Sequence, residues 1–294
     1  MPLAVDSSLL HDLKWECAFW IRSIIKNTGS GVLEEGSRAL FEYIGNIHIH
    51  SRFSDGERSI ERIAREANRE KLDFIIITDH RTLKGRKAEG YHQRVLVMAG
   101  MEANRDKNHY LALDVNRVVE DNDEHPQMVI NQVNQQKGIG IIAHPVEKGS
   151  PCIMEGRTYP WTDWGVKGFQ GIEIWNFLSR WRDGVQGLCS ALYLLLYPAA
   201  GVGHPYPEVM TIWDELLKKD QPVMAYCGSD AHGSSLKIGP LRIPVLSYAR
   251  SFRLLNVHIL SPDPLRGDAT QDASLVYDCL RRGRFWMACD YPVK

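Results

Sequence analysis

Three apolar runs in this chain each end on residues of the types that bind metal ions. They finish as Asn46-Ile47-His48-Ile49-His50-Ser51, Thr78-Asp79-His80 and Gly228-Ser229-Asp230-Ala231-His232. Short apolar runs such as residues 74–77 are typical of buried parallel strands, whose carboxyl ends meet at one edge. Carboxylates and imidazoles at several strand ends can converge and hold hard or borderline divalent cations. Because a packed core does not require this pattern, it predicts a metallohydrolase.

The bulk composition permits a single large α/β domain and argues against a nucleic-acid-binding surface. The chain has 294 residues, of which 44% are hydrophobic, enough for a sizeable core. Lysine and arginine total 35 and aspartate and glutamate total 36, which gives a formal net charge of −1 at pH 7. Nonspecific binding to nucleic acid needs a basic field that this balance does not supply. We therefore expect no nucleic-acid partner.

The cysteines and the first residues indicate a cytoplasmic protein. Six cysteines are scattered without a Cys-x-x-Cys pair, which is typical of reduced thiols in a chain this long. Residues 1–6 lack the cationic and apolar segments of a signal peptide. The most apolar stretch, Leu188 to Val202, is shorter than a bilayer span and contains Pro198. We expect a buried helix there and no membrane partner.

Strand-like and helix-like segments alternate along most of the chain. Residues 8–43 have helical periodicity and predict a helical extension over 1–43 that packs on a catalytic domain over 44–294. Strands are predicted at 44–50, 74–78, 94–99, 109–115, 139–143, 171–175, 222–227, 242–247 and 253–260, with helices near 58–71, 125–137, 184–219 and 272–282. This alternation favours a mainly parallel sheet in an α/β fold. Six or seven strand–helix units fit a closed or nearly closed barrel better than an open sheet.

Nine side chains are candidate metal ligands. His48 and His50 are two apart on a strand, so both imidazoles project to the same face. A lone Asp-His or His-Pro pair is usually a cap or a satisfied partner, but packing does not explain why six of the eleven histidines fall at predicted strand ends. The candidates are His48, His50, Asp55, His80, Glu102, His109, His144, Asp230 and His232.

The order of these motifs resembles that of the polymerase-and-histidinol-phosphatase (PHP) family. The matching segments cover about residues 44–235: His48-x-His50 with Ser54-Asp55-Gly56, Thr78-Asp79-His80, Gly100-Met101-Glu102, His109 to Leu113, Ala143-His144-Pro145 and Gly228 to His232. The resemblance implies a distorted (β/α)7 TIM-like barrel in a single domain, with a site of two or three metal ions. Within the family, the chain is most similar to stand-alone phosphoesterases and related metallohydrolases.

The resemblance also implies how the ligands divide among the ions. The first ion would be held by His48, His50, Glu102 and Asp230, the second by Glu102, His109 and His144, and the third by Asp55, His80 and His232. Glu102 is then the bridge between two ions. Some family members have histidine at the position of Asp55, so the sequence leaves the occupancy of a trinuclear site open. Oxygen and imidazole ligands without a thiolate suit Mn²⁺, Zn²⁺ or iron.

A metal-bridging hydroxide is the nucleophile expected of such a site. Two cations a few ångströms apart lower the pKa of a shared water, and the hydroxide would attack phosphorus in line. The catalytic residues are then Glu102, Asp230 and His232, and the leaving-group proton comes from Asp230, His232 or a metal-bound water. Asp79 lies outside the ligand set; it either orients a ligand histidine or forms the turn after its strand.

Residues beside the motifs are candidate contacts to the substrate. Arg52, Arg81, Lys84 and Lys148 are cations next to motif residues, and each also fits a solvated surface charge. Asn176 ends a predicted strand on the side of the site, whereas Glu173 on that strand can simply face outward. The aromatic residues near the irregular segment 148–168 predict packing of that segment or, alternatively, a stacking surface for a flat group.

The predicted function is hydrolysis of a small phosphomonoester or phosphodiester, of the nucleotide or sugar phosphate class. The same hydroxide would also serve to hydrolyse a carbamate or amide, and a noncatalytic PHP module is the non-enzymatic alternative. The intact ligand set favours an enzyme acting on phosphoric ester bonds. A small phosphorylated substrate is the expected partner, and the sequence leaves the oligomeric state open.

Overall fold

Two β-sheets flanked by helices position the candidate ligands. The structure is a computed structural model that describes residues 32–35, 38–219, 223–238 and 241–291. The strands are β1 (Val32–Glu35), β2 (Arg38–Asn46), β3 (Phe74–Ile77), β4 (Gly90–His92), β5 (Val95–Ala99), β6 (Met101–Ala103), β7 (Tyr110–Leu113), β8 (Ile139–Ile142), β9 (Gly171–Asn176), β10 (Met224–Gly228), β11 (Ser235–Ile238), β12 (Leu241–Pro244), β13 (Leu255–Ser261) and β14 (Phe285–Cys289). The helices are α1 (Ile60–Arg69), α2 (Pro126–Gln135), α3 (Phe177–Gly184), α4 (Leu188–Leu196), α5 (Pro207–Lys218), α6 (Tyr248–Phe252) and α7 (Ala269–Arg281).

The two sheets combine parallel and antiparallel strands. The larger has the order β14-β13-β2-β3-β5-β4, with β1 also paired to β2. Its centre, β2-β3-β5, is parallel, and the other pairs are antiparallel. The second sheet has the order β10-β9-β8-β7-β6, in which β8, β9 and β10 are parallel and β6 and β7 antiparallel. A separate hairpin pairs β11 with β12.

This architecture confirms the α/β class, but the described strands do not close into the predicted (β/α)7 barrel. Instead, isolated bridges between Ile49 and Ala231 and between His80 and Glu102 join the two sheets. The physical reason is the antiparallel strands. The chain passes from β6 to β7 without a crossover helix, and β13 returns antiparallel beside β2. The regular succession of parallel strand–helix units therefore stops at these places.

The predicted helical extension over 1–43 is wrong where the structure describes it. Residues 32–35 and 38–46 form the antiparallel strands β1 and β2, and β2 crosses the predicted boundary between 43 and 44. Pairing of β2 with both β1 and β13 favours the extended conformation over the local helical periodicity. Residues 1–31 lie outside the described part of the chain, so the division into extension and catalytic domain stays a prediction.

Strand β3 shows how packing fixes the carboxyl end of a strand. All four of its residues are buried. Phe74 and Ile76 pack in the main core, whereas Ile75 and Ile77 pack against α1. The α1 face predicted from its periodicity is buried there: Ile60, Ile63, Ala64 and Ala67. Because β3 is held on both faces, the segment Thr78-Asp79-His80 that follows it has a fixed starting point.

Helix α4 contradicts the expectation of a buried helix in the most apolar stretch. Leu194 is the buried residue of this helix, whereas Leu188 and Leu196 are 76% and 72% exposed. One side of α4 contacts α3 and the turn Pro198–Gly201, which leaves its other side uncovered by the described residues. No helix among these residues has the length and apolar character needed to cross a bilayer.

Candidate metal centre

The nine candidate ligands come together at one end of the two sheets. From the larger sheet, His48 and His50 follow β2, Asp55 lies in the turn after them, and His80 follows β3. From the second sheet, Glu102 lies on β6, His109 precedes β7, His144 follows β8, and Asp230 and His232 follow β10. The convergence expected from the strand ends is therefore present in the fold.

The first group of potential ligands is His48, His50, Glu102 and Asp230, all of them buried. Oε2 of Glu102 lies 3.1 Å from Nε2 of His48 and 3.1 Å from Nε2 of His50. Oδ1 of Asp230 lies 3.4 Å and 3.2 Å from the same two nitrogens. One ligand atom from each residue falls within 4.8 Å of the others, a spacing that can surround one ion. This group matches the first set implied by the PHP resemblance.

The second group, His50, Asp55, His80 and His232, lies on the more open side of the site. Oδ1 of Asp55 is 3.2 Å from Nε2 of His232, and its Oδ2 is 3.6 Å from Nε2 of His80. The Asp55 side chain is 54% exposed, so this part of the site meets solvent. The resemblance implied three of these residues for one ion, and the structure adds His50 beside them.

The third group is His80, Glu102 and His109. Nδ1 of His109 lies 2.8 Å from Oε1 of Glu102, and Nδ1 of His80 lies 3.4 Å from its Oε2. The resemblance implied His144 in this group instead of His80. Nε2 of His144 lies 3.3 Å from Oε1 of Glu102, so His144 contacts the shared carboxylate without completing a compact group.

Acceptors other than the carboxylates of the ligand groups fix the orientation of His48, His109 and His232. Nδ1 of His48 lies 3.0 Å from Oε1 of Glu173, and Nε2 of His109 lies 3.2 Å from the carbonyl oxygen of Arg105. Nδ1 of His232 lies 2.8 Å from the carbonyl oxygen of Asp230. With the proton on these nitrogens, the opposite nitrogen of each ring is left unprotonated toward the site, as in histidines that bind metals.

Glu173 contacts the candidate site, and the sequence interpretation missed it. It does not face outward, as considered above, but is 2% exposed. Besides holding His48, it accepts hydrogen bonds through Oε2 from the backbone N–H of His144 at 3.0 Å and from Nδ2 of Asn176 at 2.9 Å. The available signal was a carboxylate within an otherwise apolar strand, because a buried charge requires partners.

His50 gives the clearest sign that the site is built for cations. The residue is fully buried, and neither ring nitrogen has a hydrogen-bond partner among the described residues. Oxygens of Glu102 and Asp230 lie 3.1 and 3.2 Å from Nε2 but outside hydrogen-bonding alignment. Leaving a buried polar group unpaired costs free energy, which a cation shared with these oxygens would offset. The nitrogen and oxygen donor set fits Mn²⁺, Zn²⁺ or iron.

The charges of the buried carboxylates are matched by neighbouring imidazoles. Burial opposes ionisation of Glu102, but His80, His48 and His109 outweigh it and hold the pKa of this carboxyl well below its usual value. Burial likewise opposes charge on His50, but its contacts with Asp230 and Glu102 raise its pKa to about 10. Without cations, protons on the imidazoles therefore balance the carboxylates.

The pKa values of His80 and His144 move in opposite directions. Burial lowers the pKa of His80 to about 3, because the attraction of Glu102 does not compensate for it. For His144, the carboxylates of Glu147 and Glu102 overcome burial and raise the pKa to about 9. His80 is thus a neutral ligand at pH 7, whereas His144 must give up a proton before its ring can bind a cation.

Asp79, which follows β3, holds the turn that carries Asp55. It accepts hydrogen bonds from the backbone N–H of Ser51 at 2.6 Å and from the hydroxyls of Ser51 and Ser54 at 2.7 Å each. These bonds match neither alternative, because the partners of Asp79 are not a ligand histidine and lie in the turn after β2, not in the turn after its own strand. The turn places Asp55 beside His50, His80 and His232.

The predicted substrate contacts lie in different surroundings. Arg81 lines the cavity at the site, where its Nε is 3.8 Å from Oδ2 of Asp121. Lys148 pairs with Glu208 at the surface, and Arg52 is exposed; neither these two nor Lys84 is among the cavity-lining residues. Asn176 caps α3 by accepting a hydrogen bond from the backbone N–H of Ser179 at 2.9 Å, and it also lies outside that lining.

A cavity of about 1580 Å³ opens beside the candidate ligands. Its lining includes Asp55, His80, Glu102, His109, His144, Asp230 and His232, together with apolar residues from α3 and α4. Arg182, which the sequence interpretation did not single out, also lines it and places Nη2 2.9 Å from Oε2 of Glu147. The aromatic residues near segment 148–168 mostly pack inward, as expected, and Tyr159 and Trp181 reach the cavity wall.

Comparisons with known proteins give structural likeness only. No protein-family model matches the sequence, and no curated protein sequence matches it. A two-domain protein from Bacteroides vulgatus containing a PHP-like metal-dependent phosphoesterase is 16% identical, with a TM-score of 0.46. The match covers 85% of this chain and 65% of the Bacteroides chain, so this chain spans less than two thirds of that protein.

Two further solved structures have lower TM-scores. A metal-dependent phosphoesterase from Bifidobacterium adolescentis is 14% identical with a TM-score of 0.41, covering 68% of this chain and 92% of that one. An amidohydrolase from Chromobacterium violaceum with bound sulfate is 15% identical with a TM-score of 0.37, covering 68% and 94%. Likeness at this level does not assign individual ligands, which come from the side-chain geometry. The chain resembles the PHP family in the order of its motifs.

Proposed function

We propose that this protein is a metal-dependent phosphoesterase that hydrolyses a small phosphomonoester or phosphodiester. The observation that carries the proposal is the buried His50 imidazole, which has no hydrogen-bond partner among the described residues and faces two carboxylates at 3.1 and 3.2 Å. The compact groups around it each contain at least three possible ligands. Two or three divalent ions, of Mn²⁺, Zn²⁺ or iron, fit this arrangement.

Glu102 is the proposed bridge between two ions, because its two oxygens serve different histidines. Oε2 faces His48, His50 and His80 at 3.1, 3.1 and 3.4 Å. Oε1 faces His109 and His144 at 2.8 and 3.3 Å. A carboxylate with neighbours on both oxygens can hold two sites at a fixed separation. The compact group of His80, Glu102 and His109 would hold one ion, with His144 beside the same carboxylate, and the buried group around His50 would hold the other.

Bound divalent cations supply Lewis acidity and a water nucleophile that is active near neutral pH. The protein side chains position the reaction around them. Glu173 orients His48 and the backbone of His144. Asp79 holds the turn that places Asp55 at the open side of the site. Arg81 and Arg182 line the cavity and are the proposed contacts to phosphoryl oxygens. Burial opposes ionisation of Asp230, but His48, His232 and His50 outweigh it and hold the pKa of this carboxyl well below its usual value. His232, which lines the same cavity, is therefore the proposed donor of the proton to the leaving group.

The test combines a metal assay with two substrates that share a leaving group. The full chain is purified, its metal content is measured, and Mn²⁺, Zn²⁺ or Fe²⁺ is added back after chelation. We expect phosphate release from an aryl phosphate that chelation abolishes and metal restores, with little cleavage of the matching aryl ester. Cleavage of the ester or of an aryl amide without phosphatase activity would favour a non-phosphate metallohydrolase. Absence of both metal binding and hydrolysis would favour a noncatalytic module.

A further inference from the structure

We propose that the substrate carries a hydrocarbon chain next to its phosphoester and that this chain lies along α4. The proposal rests on the proposed function and narrows its substrate class to amphiphilic phosphoesters. It is carried by a single cavity that contains both the candidate metal ligands and an apolar wall.

The apolar wall is built mainly by α4, with one residue from the first turn of α3 and the residue that follows that helix. Leu188, Ala191, Leu192 and Leu195 line the cavity, together with Leu178 and Val185. The four α4 side chains that line the cavity offer only carbon atoms, so they cannot satisfy the hydroxyls of a sugar or the ring nitrogens of a base. A polar group desolvated against such a wall loses hydrogen bonds to water without replacement. A hydrocarbon chain gains free energy in the same place.

The wall continues beyond the cavity as a stripe of leucines. Leu188, Leu192 and Leu196 recur every four residues, so they lie along one side of α4. They are 76%, 51% and 72% exposed. Leu188 and Leu192 line the cavity, and Leu196 extends the row roughly 12 Å from Leu188 at 1.5 Å per residue. A contiguous exposed apolar row of this kind marks a binding surface.

The charge pattern favours a chain anchored at its phosphate over docking of α4 on an anionic surface. Residues 184–203 contain no Asp, Glu, Lys or Arg. Helices that bind anionic membrane surfaces combine an apolar face with lysine and arginine, which this segment lacks. The charged groups that would bind a phosphate lie instead at the other end of the cavity, where candidate metal ligands and Arg182 line the wall. One amphiphile can therefore satisfy both ends of the cavity at once.

The test measures binding as well as turnover. The full chain loaded with Mn²⁺ is titrated calorimetrically with methyl-, butyl- and octylphosphonate, which cannot be hydrolysed as esters, and the matching alkyl phosphates are assayed for phosphate release. We expect the Kd to fall by up to about fourfold per methylene, the factor for complete removal of a CH₂ from water. Leu192→Gln should reduce this increment. Met128→Gln, a matched control at a 54% exposed position outside the cavity lining, should leave it unchanged.

The outcomes separate this proposal from the proposed function. Phosphatase activity with a Kd that does not depend on chain length overturns the apolar subsite and leaves the phosphoesterase function standing. Chain-length-dependent binding without hydrolysis of any phosphoester overturns the phosphoesterase function and leaves the apolar subsite standing. Binding to phosphatidic acid in phosphatidylcholine vesicles, but not to monomeric octylphosphonate, assigns the chain to a lipid in a bilayer. A dimer in sedimentation that Leu192→Gln dissociates, with no chain-length effect, assigns α4 to a second copy and overturns the proposal.

Discussion

Two clusters of histidine and carboxylate side chains among the described residues differ in their hydrogen bonds. In the first, at the strand ends, the buried His50 has no aligned hydrogen-bond partner among the described residues. In the second, His258 on β13 lies between Glu42 and Asp290. Its Nδ1 is 2.6 Å from Oε1 of Glu42, and its Nε2 is 3.1 Å from Oδ1 of Asp290.

The comparison shows that residue types alone do not define a metal site. His258 is buried, flanked by two carboxylates and stacked on Trp286, yet both of its nitrogens are satisfied by the protein. It therefore serves as a structural ion pair, whereas the ring nitrogens of His50 have no hydrogen-bond partner among the described residues and face carboxylate oxygens that a cation could share. The sequence interpretation placed His258 outside the ligand set, and the hydrogen bonds give the reason.

The largest difference is expected when one carboxylate of each cluster is neutralised. Glu102→Gln removes the charge that faces five histidines, so we expect the metal content to fall and kcat to drop by roughly 10²- to 10³-fold. Glu42→Gln is the matched control, because it removes a carboxylate that contacts a histidine outside the site. Metal content by mass spectrometry and kcat on an aryl phosphate are the readouts. Wild-type activity in Glu102→Gln would contradict the bridging role.

A smaller effect is expected at Glu173, which orients His48 without joining the ligand groups. Glu173→Gln keeps the size of the side chain but weakens its hold on Nδ1 of His48. We expect metal affinity to fall by about 10- to 100-fold, the usual range for a group that orients a ligand histidine. Competition with a chelator measures the affinity. Asp290→Asn, which perturbs His258 in the same sense, should leave it unchanged; equal losses in both variants would point to a general loss of stability.

The pH dependence of the metal-free protein should reveal the protons that balance the first cluster. The pKa of His50 is raised from its ordinary value of 6.5 to about 10, and that of His144 to about 9. Raised pKa values contribute stability that is complete below pH 6.5 and is lost as pH rises through the folded values.

We therefore expect the Tm of the metal-free protein to fall by a few degrees between about pH 7 and 10. Metal binding should release protons, because His50 and His144 must lose theirs, so metal affinity should rise over the same range. Thermal unfolding with and without Mn²⁺, and calorimetry in two buffers of different ionisation enthalpy, test both points. Proton uptake on metal binding would reverse the sign and contradict the assignment.

The smallest effect is expected in the second cluster. His258→Gln should cost about 1–3 kcal/mol in the free energy of unfolding, because it removes charge-assisted hydrogen bonds from a buried site. The pKa of His258 is raised: burial opposes this, but Asp290 and Glu42 outweigh it. The stabilisation is thus present below pH 6.5 and declines at higher pH. Denaturant unfolding gives the loss, and the metal content should stay at the wild-type value.

Much of the fold could be predicted from local patterns. The sequence correctly predicted the buried strand at Phe74–Ile77 and the buried face of α1. In both segments the spacing of the apolar residues indicates which positions are buried. The strand predicted at 44–50 instead runs over 38–46, and the ladder ends before His48. Its register depends on β13, which lies more than 200 residues away in the sequence. No local pattern carries that pairing.

The contrast between local patterns and long-range contacts also explains which site residues could be predicted from the sequence. Ligands at strand ends were predictable, because strand ends are local features and the motifs resemble those of a known family. Glu173 was not, because its role depends on His48, 125 residues earlier in the chain. Helix α4 shows the opposite error. Its leucines predicted burial, but apolar composition does not say whether the partner is the protein's own core or another molecule.

The bridges at Ile49–Ala231 and His80–Glu102 place the candidate ions on the seam between the two sheets. Each group of candidate ligands contains residues from both sheets. A bound metal ion would therefore cross-link the two sheets as well as take part in the reaction. Removing such ions would remove these cross-links from the end of the molecule where isolated bridges join the two sheets. We expect local unfolding of the metal-free protein to begin at this end. Amide hydrogen exchange at residues 48–50 and 230–232 should then increase more than exchange in the buried strand β3.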